Sequence, residues 1–420
     1  MRIAGYMLAF ALLFAASPLF AATVAVGSCQ PSKVSFPTIQ QAVNAASTGT
    51  TISVCPGSYP EQVSIINKTL TLKGFTYGNQ NSAIVTSPVG GMVQNANGIY
   101  GDPIEAQVFV QGGSVTMSDL TMDAANSNLD SLGCAGDPVG IYYQNASGII
   151  TRNSVLNDVL SPSLNGCQGG LGILVESTGS NAVSVTFNHV ENYQKNGITV
   201  DGPGASGLTS TITSNTVTGQ GPTTGAAENS IQVAYGATAT ITSNTVGSNI
   251  WAPDVFGDTG DAASGILVYA SSNVIIKSNN VSQTQYGIVI ADDPSFGPGA
   301  ATITMNTVSA THLYDGIDLC GNNNTVTSNV INGSDESAIH LDDTCTGASS
   351  GNIIKSNTIN SACAGILSGP AASGNNTSPN TYYNASNLQL TGTDTCTPPP
   401  ARFGQKRVAR SHGHFRPAKP

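Results

Sequence analysis

Charge is scarce in this 420-residue sequence, at 9% of residues, and positive charge is scarcest. Between Thr23 and Pro400 only seven basic residues (Lys33, Lys68, Lys73, Arg152, Lys195, Lys277 and Lys355) stand against 24 acidic ones. Such a body repels nucleic acid and anionic headgroups, whose phosphates need cationic partners. It also suits a polyuronate poorly unless a cation intervenes. Methionine (6), histidine (5) and tryptophan (1) are few, and no cysteine pair has the C-x-x-C spacing of a zinc site. No phosphate-cradling glycine loop and no local Ser-His-Asp or Cys-His signature occurs. Beyond the first 22 residues no stretch is apolar enough to span a bilayer. Nothing in the body is long and periodic enough for the helices that a βαβ fold requires.

What is present begins with an export signature. Arg2 precedes an apolar run, Met7 to Phe14, that ends in small residues at Ala21 and Ala22. Residues 1–22 therefore read as a secretory signal peptide, and the chain as secreted, periplasmic or held at the cell surface. Eight cysteines in such a compartment should pair. At the other end, residues 397–420 are basic and proline-rich without a core pattern, and read as a disordered tail.

Residues 23–396 carry a repeat. An Asn-x-Val/Ile element recurs with its asparagine at 153, 188, 215, 244, 279, 306, 329 and 357. Gly-Ile elements interleave at Gly140, Gly172, Gly197, Gly265, Gly287, Gly316 and Gly365, with Ser230-Ile231 and Ala338-Ile339 in the same role. Each is short, β-branched and alternating, which means strands with isoleucine inward. Strands without a partner in their own coil must pair with the equivalent strand one coil away. The expectation is an all-β, single-stranded right-handed parallel β-helix of about ten coils, with the asparagines stacked at one turn. Phe36 to Ala46 reads as a short amphipathic helix capping the open N-terminal end. Cys134 and Cys167 sit six and five residues before their Gly-Ile elements and should stack on neighbouring coils. Cys29 with Cys55 would tie the cap, and Cys320 with Cys345 and Cys363 with Cys396 the last coils.

The opening TIQQAVNAA…GTTISVCPGSYPEQVSIINKTLTLKG resembles that of pectinesterases, pectate-lyase-like proteins and right-handed β-helix proteins generally. With the repeats, the resemblance covers about residues 36–385. It implies the fold. It does not select a chemistry, because that superfamily houses lyases, esterases, hydrolases, epimerases and proteins without known activity.

Aligning coils on the glycine places Asp318 beside His340 two positions on, and Cys320 beside Asp342 two further on. Asp315 and Asp343 flank them, and Asp335 and Glu336 fall in the preceding turn. Earlier coils put Tyr142, Leu174, Thr199, Gln232, Leu267 and Val289 in the Asp318 column, so ionisable groups are expected only on the last coils. Crowded carboxylates raise one another's pKa and suit acid–base catalysis. Asp315, Asp318, Asp335, Glu336, His340, Asp342 and Asp343 are therefore the catalytic candidates, as an outward acidic patch. No cofactor is called for; calcium is the hard cation such carboxylates would accept. Asp315-Gly316-Ile317-Asp318 with Asp335-Glu336 is similar to polygalacturonase elements, which would make Asp315, Asp335 and Glu336 acid and base. The family's Gly-His-Gly is replaced by Ala364-Gly365-Ile366, however, and its Arg-Ile-Lys is missing. Gly-Ser-Tyr-Pro-Glu at 57–61 resembles a pectinesterase motif whose later aspartate contexts are missing too. The 247–264 excursion holds Trp251 with Asp254, Asp258 and Asp261, an aromatic-plus-carboxylate set suited to sugar stacking.

The reading that ranks first is a β-helix that binds or degrades a polysaccharide or cell-envelope glycan, by hydrolase- or lyase-type chemistry if it cleaves. It would not bind nucleic acid or span a membrane, and would be a monomer. The alternative is a non-catalytic surface, adhesion or structural solenoid. A periplasmic accessory protein similar to the β-helices of copper-enzyme maturation ranks last, because methionine and histidine are few.

Overall fold

The computed structural model describes residues 22–392 apart from 79, 126–131, 204–206, 253–261, 312–313, 344–348 and 386. The expected signal peptide, except for its last residue, and the basic tail lie outside these. The chain winds as a right-handed parallel β-helix with three strand faces per coil. The first face stacks strands such as Leu171–Glu176, Asn196–Asp201, Asn229–Ala234, Ser264–Tyr269, Tyr286–Ala291, Ile317–Cys320 and Ser337–Leu341. The second stacks Ala182–Thr186, Thr209–Thr213 and their successors, and the third is a 12-stranded sheet. These twelve rungs accord with the expectation of about ten coils. Strands at either end, Gly57–Pro60, Ala83–Thr86 and Thr381–Tyr383, join the third face without the sequence repeat that marks the middle.

Alternation explains each strand. Along Thr209–Thr213 and Thr238–Thr242, Ile212 and Ile241 point inward and are fully buried, while flanking threonines face out. Stacked on their equivalents, these side chains form one continuous apolar core from Val26 to Ile366. At about 25 cal/mol per Å² of apolar surface removed from water, burial of each such isoleucine contributes about 2–3 kcal/mol. The glycine of the Gly-Ile element has a packing cause. A Cβ at Gly172 would lie 2.5 Å from Val190 Cγ1 and 2.7 Å from the Gly197 carbonyl oxygen.

The asparagine ladder forms as expected and runs further, from Asn153 to Asn380. At each step the backbone N–H donates to the next coil's Oδ1 at 2.9 Å. The side-chain amide donates to that same oxygen and to a backbone carbonyl, such as Asn279 Nδ2 to Ile241 O at 2.9 Å. The ladder therefore saturates buried polar groups at a turn that water cannot reach. The residue before each asparagine from Asn153 to Asn357 is left-handed, from φ 55° at Arg152 to 59° at Ser356, a strain offset by these bonds.

The cap helix spans Ile39–Ala45, shorter than the expected Phe36 to Ala46 because Phe36 pairs as a strand with Val26. Thr38 caps it, its Oγ1 accepting from Gln41 N, and Ile39, Ala42 and Val43 are buried in the core. Cys29–Cys55 and Cys134–Cys167 are disulfides, as the coil alignment requires. Cys320 and Cys363 are also disulfide-bonded, while Cys345 and Cys396 lie outside the described residues.

Candidate functional site

Two clusters of ionisable groups rise from the outward side of the first face. The register is the one read from the glycines: Tyr142, Leu174, Thr199, Gln232, Leu267, Val289, Asp318 and His340 occupy one column. On the last coils, Asp315 accepts from Ser337 N and Ser337 Oγ through Oδ1, and its Oδ2 lies 3.2 Å from His340 Nδ1. Cys320 Sγ and Asp342 Oδ2 are 3.3 Å apart. The structure thus brings Asp315, Asp318, His340 and Asp342 together.

It does not leave them on the surface. Asp315 and Asp318 are each 1% exposed, and His340, Asp342 and Glu336 are buried as well. The expected outward patch is an enclosed cluster because apolar side chains cover the face here. Tyr286 and Tyr314 stack at 4.5 Å beside it, within a satellite core that includes Leu267, Val289 and Cys320. Burial, then the Asp342 charge, pushes the Asp318 carboxyl well above the usual carboxylate range. Burial alone would lower the His340 pKa, but the charges of Asp315, Asp318 and Asp342 outweigh it and hold the imidazole protonated. Asp335 is half-buried in the preceding turn, and Asp343 turns away to accept from Ala371 N.

The second cluster lies about five coils earlier, in the column four places after the glycine, where Gln144, Glu176, Asp201, Ala234 and Tyr269 follow one another. Ionisable groups are therefore not confined to the last coils, contrary to expectation. Glu176 and Asp201 occupy adjacent rungs. Tyr142 Oη donates to Glu176 Oε2 at 2.6 Å, and Ile99 N donates to the same oxygen at 3.1 Å. Burial outweighs both bonds and pushes Glu176 up to about 7. Burial and the Glu176 charge hold Asp201 well above its usual range, outweighing a hydrogen bond with Gln232.

Aromatic rings gather beside this carboxyl pair. Tyr235 sits edge-on to Tyr100, Tyr269 and Phe296, at 5.5, 5.6 and 4.8 Å between centroids. Tyr100 and Phe296 come from loops almost 200 residues apart, which meet over Tyr235. Tyr269 Oη donates to Asp293. Phe296 is 41% exposed and Tyr100 and Tyr269 are half-buried, so the cluster reaches solvent. The coil alignment already placed Glu176 beside Asp201; the two loops carry no such signal.

Of the Trp251 set, Asp254, Asp258 and Asp261 lie outside the described residues. Trp251 ends the strand Thr245–Trp251, its backbone held by the Gln285 side chain and its indole Nε1 buried without a partner. Lys195 is fully buried, donating to Ala227 O at 2.7 Å, and Arg152 pairs with Asp119, so neither is placed as a lyase base.

The profile of a family described as periplasmic copper-binding protein (NosD) matches residues 79–309, more than half of the chain. The chain belongs to the NosD family. The kinship ranked last from sequence is thus the one found. NosD membership and the disulfides fit a periplasmic or extracellular protein; among the described residues no helix is long and apolar enough to cross a membrane. No curated protein matches significantly. Among solved structures, the Dettilon tailspike protein (gp208) superposes with a TM-score of 0.56 at 18% identity, over 80% of this chain and 62% of its own. A family 28 exopolygalacturonase of Yersinia enterocolitica gives 0.53 at 10%, over 91% and 80%. The GH136 lacto-N-biosidase of Eubacterium ramulus gives 0.51 at 11%, over 89% and 68%. These likenesses show the fold.

Copper is the metal that NosD membership suggests, and the donors do not fit its soft monovalent form, which takes thiolate and thioether ligands. The described cysteines are all in disulfides, Met92, Met117 and Met122 are buried in apolar clusters, and Met305 is exposed on its own coil. Within residues 79–309 no three histidine, cysteine or acidic side chains converge among the described residues.

Proposed function

We propose that this NosD-family chain binds a glycan outside the cytoplasm and cleaves it at the Glu176–Asp201 face. One observation carries the reading: two buried, protonatable carboxyls on adjacent rungs, one near neutrality, lie beside four aromatic rings that reach solvent. Sugar rings present apolar C–H faces that stack on tyrosine and phenylalanine, and hydroxyls that bond to carboxylates. Glu176, half protonated at neutral pH, is suited to protonate a leaving glycosidic oxygen. Asp201, on the adjacent rung, would take the second carboxyl's role. The architecture accommodates such chemistry in an exopolygalacturonase and a lacto-N-biosidase. The acidic body favours a neutral glycan.

A reducing-end assay of the purified chain against a panel of neutral and acidic polysaccharides tests this. Product formed by wild type and lost in Glu176→Gln and Asp201→Asn supports it. Binding without product would leave a carbohydrate-binding solenoid, and neither binding nor product would return the chain to the structural reading.

A further inference from the structure

A group with no place in the glycan reading lies on the last coils, beyond the end of the family match at residue 309. Asp315, Asp318 and His340 each present one ligand atom, and these atoms all lie within 4.8 Å of one another. All three side chains are buried. Acidic side chains often cluster without a ligand, but Asp318 is unlike its neighbours. Both of its carboxylate oxygens are sealed from solvent and neither has a hydrogen-bond partner among the described residues. A carboxylate so placed forfeits its hydration without compensation, a cost of several kcal/mol that proteins avoid unless a proton or cation meets it. Asp315, by contrast, is anchored by Ser337 and lies against His340, so its position and that of the ring are already set.

We infer that Asp315, Asp318 and His340 form a binding site for a divalent transition cation such as Zn2+ or Mn2+. The donor set is two carboxylates and one imidazole, which excludes the soft, sulfur-rich preference of copper(I). Cys320 contributes no thiolate, because it is disulfide-bonded. Calcium is disfavoured because it seeks six to eight oxygens, and an imidazole ring occupies part of this enclosure. Asp342, beside Cys320, adds negative charge that strengthens the attraction. The cation would tie the Ile317–Cys320 rung to the Ser337–Leu341 rung, acting as a staple near the C-terminal end of the solenoid.

The full chain, stripped with a chelator and then dialysed against Zn2+ or Mn2+ both as the native protein and during refolding, supplies the test. Wild type should retain one more equivalent of metal than Asp318→Asn or His340→Gln, with at least a tenfold loss of affinity in each variant. Its unfolding temperature should rise with metal, and those of the variants should not. Subtracting the variants removes any contribution from histidines elsewhere in the chain. Zinc-edge absorption of wild type should show a nitrogen and oxygen shell, a reading that holds even if a variant fails to fold. Equal metal content in all three chains, no metal in wild type by either route, or a sulfur-containing shell would overturn the site. None of these outcomes depends on glycan cleavage.

Discussion

The Glu176–Asp201 cluster and the Asp315–Asp318–His340 cluster occupy the same outward side of the same strand face, yet they are built for different things. In the first, loops bring rings to the rim and leave Phe296 and Tyr100 in reach of solvent. In the second, stacked Tyr286 and Tyr314 and the apolar side chains around them close the face over the carboxylates. One has carboxyls flanked by hydroxyls and aromatic edges; the other has an imidazole among carboxylates and an oxygen pair with nothing to bond. A solenoid rung thus supplies position alone. What covers the rung decides whether a carboxyl there meets a large substrate, a small ion or only its neighbours.

The sharpest way to break this comparison is at the chemistry. Glu176→Gln should lower glycan cleavage by about 10²-fold or more, the usual contribution of a general acid, whereas Asp318→Asn should leave turnover within about twofold. Equal losses in an assay of purified variants would show that the two clusters act as one site.

The pH dependence of stability comes next. The folded-state pKa of Glu176 is raised to about 7, so between its unfolded value and 7 the native chain binds the extra proton. Stability from this group is full below about 4.5 and falls as pH rises, by about 3 kcal/mol through pH 7. Denaturant melts from pH 4 to 8 should show a shallower decline in Glu176→Gln than in wild type. An unchanged slope would mean the carboxyl is not held in its protonated form.

Smaller effects sharpen the contrast. Phe296→Ala removes an exposed ring from the rim and should weaken glycan binding about tenfold, or about 1.4 kcal/mol, with little change in melting temperature. Titration calorimetry with a bound oligosaccharide would measure both the loss and its enthalpy. In metal-free buffer Asp318→Asn should raise stability by about 1 kcal/mol, since it removes a buried carboxyl without partners. A marked loss of stability would point instead to a bond that the charged form makes in the folded chain.

Much of the scaffold was legible because its causes are local and repeat. The Asn-x-Val/Ile spacing marks the turn where each amide bonds forward, and the Gly-Ile spacing marks a rung position where, as at Gly172, a Cβ would strike the next coil. Alignment on those glycines placed Asp318 beside His340 and Cys134 within reach of Cys167. The same alignment holds Glu176 beside Asp201, in a column that carries no ionisable group on the two coils that follow except a tyrosine at Tyr269. The N-terminal and C-terminal rungs were less legible, since they pair on the third face without the tripeptide.

Burial of the last-coil carboxylates was not legible at all. An outward position in a strand ordinarily meets water, and nothing in Asp315 or Asp318 signals that Tyr286 and Tyr314 will stack beside them. Nor does spacing reveal that Tyr100 and Phe296 meet over Tyr235. Repetition of short-range patterns determined the coil, its register and its ladder by itself, because each rung sees the same neighbours as the last. The environment above the rungs depends on irregular loops from distant parts of the chain. Which carboxyls lie beside solvent-reaching rings and which lie under a closed apolar cover was therefore decided only by the tertiary structure, where desolvation and covering side chains act together.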